Sequence, residues 1–280
     1  MKLWIAWWNI VRELRPAFKR TRTFIWFAVA LAAACTRCDL NGVTSLVRAL
    51  GLRPACYDRL LDFFHSRGVD LPGLTRCWTA LVLKILRSFL LTVNGRLVLL
   101  ADGIKAPKTG RKMPAVKKLH QESQNNNKPE FIFGHSCQTI AVVVKAASGF
   151  FALPLACRIH EGVVFSNRDQ RTLLDKMVML MFALGVSMPS YLVADAYYAS
   201  AHVIKPLLEA NQHLITAAKF TAVAYEPVEQ TKAHQKGRHR LYGKKLKLKL
   251  LFNDESAFVE APSPVYGEQN TTIRYRTLDL

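Results

Sequence analysis

The segment Arg96-Leu97-Val98-Leu99-Leu100-Ala101-Asp102 follows the turn signal Asn94-Gly95 and stays apolar until it meets an acid. A short unbroken apolar run of this kind marks a strand covered on both faces, as in the sheets of α/β proteins. The same ending returns in Leu192-Val193-Ala194-Asp195. Between them, two strand-like runs, 136–146 and 150–159, are joined by Ala147-Ser148-Gly149 and read as a hairpin. A helix fits Asp169 to Leu184, with Asn167 or Ser166 as its cap, and its stripe Met177, Leu180, Met181 and Leu184 has the spacing of a core face. After the second acid come a helix over 200–210 and a strand over His213 to Ala217. The order β-β-β-α-β-α-β predicts a mixed sheet flanked by helices, an α/β core. Residues 103 to 130 are polar and include Asn125-Asn126-Asn127, so a loop is expected there.

Outward from this core the texture changes on both sides. Residues 1–92 repeat apolar positions at three- and four-residue intervals, punctuated by Pro16, Pro54 and Pro72, and read as an N-terminal helical domain. Within it, the helix ending at Gly51 and a second over Cys56 to Phe64 suit a helix-turn-helix. Tyr57, Leu60, Leu61 and Phe64 are expected on the inner face of the second, with Arg48, Arg53 and Arg59 free for phosphates. Any small helical bundle has this pattern too. The core is expected over 93–221, and a β-rich basic region over 222–280. Residues 232 to 249 carry Lys232, Lys236, Arg238, Arg240, Lys244, Lys245, Lys247 and Lys249 with no acid. The alternation from Lys245 to Leu250 places lysines on one face, which suits either a guarded edge strand or a strand laid along DNA.

Charge narrows the function classes. Thirty-nine Lys and Arg against twenty Asp and Glu give the chain of 280 residues a net charge of +19, which predicts a polyanionic partner. The apolar stretches Phe24 to Cys35 and Met177 to Met188 are too short to span a bilayer, which takes roughly 20 residues. A signal peptide is disfavoured because Trp4, Trp7 and Trp8 precede the charges and Thr36-Arg37-Cys38 makes a poor cleavage site. Cys35 and Cys38 lack the second pair that a zinc ribbon needs, so the six cysteines read as reduced thiols of the cytoplasm.

Two strands that end in aspartate concern chemistry. Ligand sites of open α/β sheets lie at the carboxyl ends of strands. If the two strands are parallel neighbours about 4.8 Å apart, Asp102 and Asp195 share one cation. Oxygen-only ligands select Mg²⁺ or Mn²⁺. Either aspartate alone is more simply a turn former or helix cap. The aspartyl-phosphate phosphatase pattern fails at Ile104, and no P-loop or nucleophile elbow occurs.

The stretches Ala101-Asp102-Gly103-Ile104-Lys105, Lys117-Lys118-Leu119-His120-Gln121-Glu122-Ser123 with Lys128-Pro129-Glu130, Gly134-His135, Asn167-Arg168-Asp169 and Ala194-Asp195-Ala196-Tyr197-Tyr198 together give the chain a specific likeness. It resembles the DDE-type insertion-sequence transposases of bacteria, in the branch with a β-rich insertion before the last acid. The resemblance implies a ribonuclease-H-like core, Asp102 and Asp195 as the first two metal-binding catalytic acids, and cleavage of transposon-end DNA followed by strand transfer. It also implies double-stranded DNA as partner, pairing of two copies on DNA, and a cytoplasmic, nucleoid-associated setting. The family's third acid, a glutamate in a Tyr-x-x-Arg-x-x-x-Glu helix, has no counterpart: Tyr275 is followed by Leu278 where the arginine belongs, and Glu255, Glu260 and Glu268 sit among strand and turn signals. The expectation is a truncated chain with impaired catalysis. A DNA-binding derivative without catalysis and a metal-dependent nuclease are the alternatives. Lys105, Lys108, Arg111, Lys112, Lys117 and Lys118, together with Lys244, Lys245, Lys247 and Lys249, are expected to meet DNA phosphates. His120, Gln121 and Glu122 read as a solvated loop, His135 as a core or turn histidine, and His160-Glu161 as an edge of the site.

Overall fold

A computed structural model describes residues 2–39, 42–110, 112–120, 129–147, 149–159, 171–218, 221–228, 241–263 and 270–278. The chain divides into two compact units, residues 1–216 and 217–280.

The first unit opens with helices α1 (Lys2–Glu13), α2 (Thr21–Thr36), α3 (Gly42–Ala49), α4 (Cys56–Phe64) and α5 (Leu71–Ile85). Leu60 of α4 is buried against Ala30, Ala33 and Leu46, and Phe63 packs with it. Tyr57 and Phe64 are exposed, which corrects the expected inner face of α4 by one position. The reason is tertiary: Phe63, not Phe64, is aimed at Phe27 of α2.

Next come β1 (Thr92–Val93), β2 (Arg96–Pro107), β3 (Lys117–His120), β4 (Phe131–Ala146), β5 (Gly149–Ile159), α6 (Leu173–Ala183), β6 (Ser190–Ala194), α7 (Ala201–Glu209) and β7 (Gln212–Thr216). Asn94 and Gly95 both take positive φ, the two-residue turn that matches strand twist, and so join β1 to β2. The sheet runs β5-β4-β2-β6-β7. Its first pairings are antiparallel, and β2-β6 and β6-β7 are parallel. This is the ribonuclease-H-like mixed sheet that was expected. Leu97, Leu99, Ile140, Val142 and Leu192 of the sheet are fully buried with Met177 and Leu184 of α6 and Val203 and Leu207 of α7. Each such side chain contributes about 1.5–3 kcal/mol by leaving water. Trp78 of α5 donates to Pro154 O at 3.0 Å, tying the helical region to β5.

Three expectations change. Residues 103–130 are not simply a loop: β2 continues to Pro107, paired with β4 from Gly103↔Gln138 to Pro107↔Gly134, and Lys117–His120 form β3. Gly134 pairs with Pro107 on one side and Lys117 on the other, so β3 lies on the β5 side of β4. Backbone bonds hold this ribbon, and its side chains face water, which is why the sequence is polar. Helix α6 starts at Leu173, capped by Thr172 rather than by Ser166 or Asn167, which lie outside the described residues. Thr172 Oγ1 accepts from Asp175 N, and the Asp175 carboxylate accepts from Thr172 N at 2.8 Å, a capping box. Finally, the alternating lysine strand is short.

The second unit holds β8 (Val223–Tyr225) paired with β9 (Lys245–Lys247), and β10 (Val259–Pro262) paired with β11 (Thr272–Tyr275). The chain turns into 3-10 helix at Leu248, so the alternation does not carry a strand through Leu250. Among the described residues no helix is long and apolar enough to cross a membrane.

Candidate metal-binding active site

Strands β2 and β6 run parallel in register from Leu97↔Ser190 to Ala101↔Ala194. The next residue after that last pair is an aspartate on each side, Asp102 within β2 and Asp195 as the first residue past β6, one step beyond strands spaced about 4.8 Å apart. Side chains of residues level in register share a face, so Ala101 and Ala194, the residues just before the two acids, point to the same side of the sheet. The expectation that Asp102 ends its strand is corrected: it sits where β2 parts from β6 and continues beside β4 alone. Asp195 follows Ala194, the last residue of β6, so there the chain leaves the sheet as expected.

Backbone groups aim both acids. Asp102 Oδ1 accepts from Gly103 N at 2.7 Å. Asp195 Oδ1 accepts from Tyr197 N at 3.1 Å and caps the 3-10 turn Ala196–Tyr198. Its carbonyl accepts from Thr216 Oγ1, at the end of β7, at 2.6 Å. The aspartate is therefore a cap as well as a site residue. Among the described residues neither carboxylate has a Lys, Arg or His within ion-pair distance.

Tyr198 reports on the pair. Its ring is buried, and its phenol is pushed up to about 12, chiefly by burial, with the charges of Asp195 and Asp102 adding and the Gln138 hydrogen bond opposing. Tyr198 Oη lies 3.8 Å from where a Cβ on Gly103 would stand, next to Asp102 in the chain. Gln138 Nε2 donates to Tyr198 Oη at 3.2 Å and to Leu173 O at 2.7 Å. Two buried oxygens nearby have no partner: Gln138 Oε1, and Thr139 Oγ1 on the β4 residue paired with Asp102.

These residues fit a hard divalent cation. The donors are oxygens alone, two carboxylates follow the last level pair of β2 and β6 with no ion-pair partner among the described residues, and an orphaned hydroxyl sits across the strand. Two carboxylates are the protein share that Mg²⁺ commonly takes, leaving positions for water and phosphate. Among the described residues no group of three or more His, Cys, Asp or Glu surrounds a common point.

The remaining predicted residues fall in two places. Lys105, Lys108, Lys112, Lys117 and Lys118 are exposed on or beside the ribbon of β2, β3 and β4, and Arg111 lies outside the described residues. Lys105 Nζ donates to His120 O at 2.7 Å, and Lys118 Nζ lies 4.2 Å from the Phe131 ring. Strand alternation puts Lys105 and Asp102 on opposite faces. Lys244, Lys245, Lys247 and Lys249 are exposed in the second unit, around β9. Arg48 is exposed and paired with Asp39 at 3.1 Å, while Arg53 and Arg59 are exposed. His120 lies 3.7 Å from Glu130, and His135 Nε2 lies 2.9 Å from Pro114 O. Gln121, Glu122, His160 and Glu161 are outside the described residues. Sequence reasoning missed Tyr198, Gln138 and Thr216; only Tyr198 left a signal, as the last residue of the Ala194–Tyr198 motif.

Among solved structures, the chain is similar to a piggyBac transposase in a synaptic complex with hairpin DNA, at 13% identity and a TM-score of 0.31 over 82% of this chain. The chain spans 52% of that protein's length. No curated protein matches. The family described as DDE superfamily endonuclease matches residues 13–277, nearly the whole sequence, and this chain belongs to it.

Proposed function

We propose that this chain is the catalytic region of a DNA transposase, which binds double-stranded DNA and cuts its phosphodiester backbone with the help of Mg²⁺ or Mn²⁺. The observation that carries this is the parallel register of β2 and β6, whose last pair Ala101↔Ala194 is followed on each chain segment by an aspartate, neither with an ion-pair partner among the described residues. Family membership supports the nuclease class. A divalent ion there supplies water activation and charge neutralisation for in-line phosphoryl displacement. The chain's own residues prepare the place. Gly103 N and Tyr197 N orient the two carboxylates, and Thr216 fixes the Asp195 backbone. Tyr198 keeps its proton at neutral pH and adds no third negative charge. The lysines of the ribbon and of the 217–280 unit neutralise DNA phosphates, and the helices of 1–92 add a second basic contact. Two copies on DNA pair two transposon ends.

A second reading is favoured by the acid inventory. No third carboxylate joins the pair among the described residues. On this reading the chain binds duplex DNA strongly at low salt, nicks it slowly, and joins no ends. A supercoiled plasmid incubated with Mn²⁺, beside a gel shift in rising salt, tests both. The wild type is expected to shift DNA and nick weakly, and the Asp102→Asn/Asp195→Asn double variant to shift DNA equally and nick none. Nicking that survives the double variant sinks the site assignment. Efficient end joining would mean that a third acid operates where none has been identified.

A further inference from the structure

Helices α2 and α4 enclose a polar pocket of about 240 Å³ lined by Arg20, Arg22, Thr23, Trp26, Arg59, Asp62, Phe63 and Ser66. Arg20 precedes α2 and Arg22 lies in its first turn. Arg59, Asp62, Phe63 and Ser66 recur at the three- and four-residue spacing that puts side chains on one face. Three arginines and one aspartate thus line the same pocket, a surplus of two positive charges. Among the described residues none of the three arginines has an ion-pair partner, whereas Arg48 and Arg76, close by in sequence, each have an aspartate. The start of α2 adds to the field. Arg20 makes no side-chain cap, so the first-turn amides and the positive end of the helix face the same solvent. Like charges held together without a partner repel, and an anion that accepts several N–H donors relieves this. The planar arginine fork suits a phosphate oxygen pair.

We infer that the pocket formed by Arg20, Arg22 and Arg59 holds one backbone phosphate of duplex DNA and so fixes the helical region on the strand. This rests on the DNA-binding reading above and adds a defined contact that the sequence pattern did not isolate: Arg59 was expected among free phosphate ligands, and Arg20 and Arg22 were not. Asp62, which also lines the pocket, opposes the anion and lowers the net charge it meets.

Fluorescence anisotropy of a short labelled duplex in a salt series tests the pocket, using the full chain. The Arg20→Gln/Arg22→Gln/Arg59→Gln triple variant is compared with a control that replaces Lys145, Arg171 and Lys205 by Gln, exposed residues outside the pocket and outside the regions assigned to DNA above. Loss of one phosphate contact flattens the slope of log affinity against log salt by about 0.9 and weakens binding about eightfold near 0.1 M salt. The control keeps the wild-type slope. Thermal melting of each variant guards against misfolding; if the triple melts early, the three single variants are read instead, each with a partial loss in affinity. A triple variant that behaves like the control overturns this site and leaves the DNA-binding reading standing. A wild type that binds no duplex at low salt overturns both.

Discussion

Removing one of the two aspartates should make the metal-free protein more stable, the reverse of what most substitutions do. Asp102 and Asp195 directly follow Ala101 and Ala194, the last level pair of the parallel strands β2 and β6, and among the described residues neither has a cation in ion-pair distance. At about 5 Å in a water-like dielectric their repulsion is about 1 kcal/mol, the screened value suited to exposed groups. Asparagine keeps the oxygen that accepts from Gly103 N or Tyr197 N, so the local hydrogen bonds survive. In chelator, Asp102→Asn and Asp195→Asn should each raise the melting temperature of the first unit by about 2–4 °C. The double variant should gain no more than either single, because the first neutralisation already removes the pair. Mn²⁺ should reverse the order: at ten times its dissociation constant it adds about 1.4 kcal/mol to the wild type and nothing comparable to the variants. The reasoning is refuted if both single variants melt below wild type in chelator, or if their effects simply add.

Three further outcomes follow from the geometry. Leu192, fully buried and level with Leu99 and Leu214, should cost about 2–5 kcal/mol when changed to Ala, measured by urea unfolding. The Tyr198 phenol is raised in the folded state to about 12 from an ordinary value of 10, so its contribution is complete below pH 10 and is lost as pH rises through 12. The loss amounts to about 3 kcal/mol, visible as an alkaline fall in stability that Tyr198→Phe abolishes. A methyl group added at Gly134 would stand 2.3 Å from Ala106 O and 2.9 Å from Ala106 C, backbone atoms that cannot swing aside. Gly134→Ala should therefore unpair the ribbon at a cost of about 1–3 kcal/mol and speed hydrogen exchange at Lys108 N, which donates to Phe133 O at 2.8 Å.

What the sequence made legible was what burial writes into it. The continuous apolar runs ending at Asp102 and Asp195 gave two central strands and the candidate acids. The stripe Met177, Leu180, Met181 and Leu184 is core. What backbone pairing decides was hidden: residues 103–107 and 117–120 extend the sheet with side chains in water, so nothing in their polarity announces a strand. The shift of the α4 inner face from Phe64 to Phe63 depends on where Phe27 of another helix stands. Thr172 is one of several capping residues before α6, and choosing it required the Asp175 geometry. Gln138 and Thr216 touch the site only through folding.

The continuity of β2 past Asp102 gives the two acids different mechanical circumstances. Up to Ala101 the strand is clamped between neighbours on both sides; beyond it, only β4 holds it, and the strand projects as a beam bearing lysine. Asp102 stands at the fulcrum. Lys105 lies on this singly held stretch and Lys108 just past it, whereas Asp195, one residue beyond β6, is tied back by the Thr216 hydroxyl on its carbonyl. The two acids are thus held differently, one on a strand with a single neighbour and the other by a hydrogen bond to its own backbone.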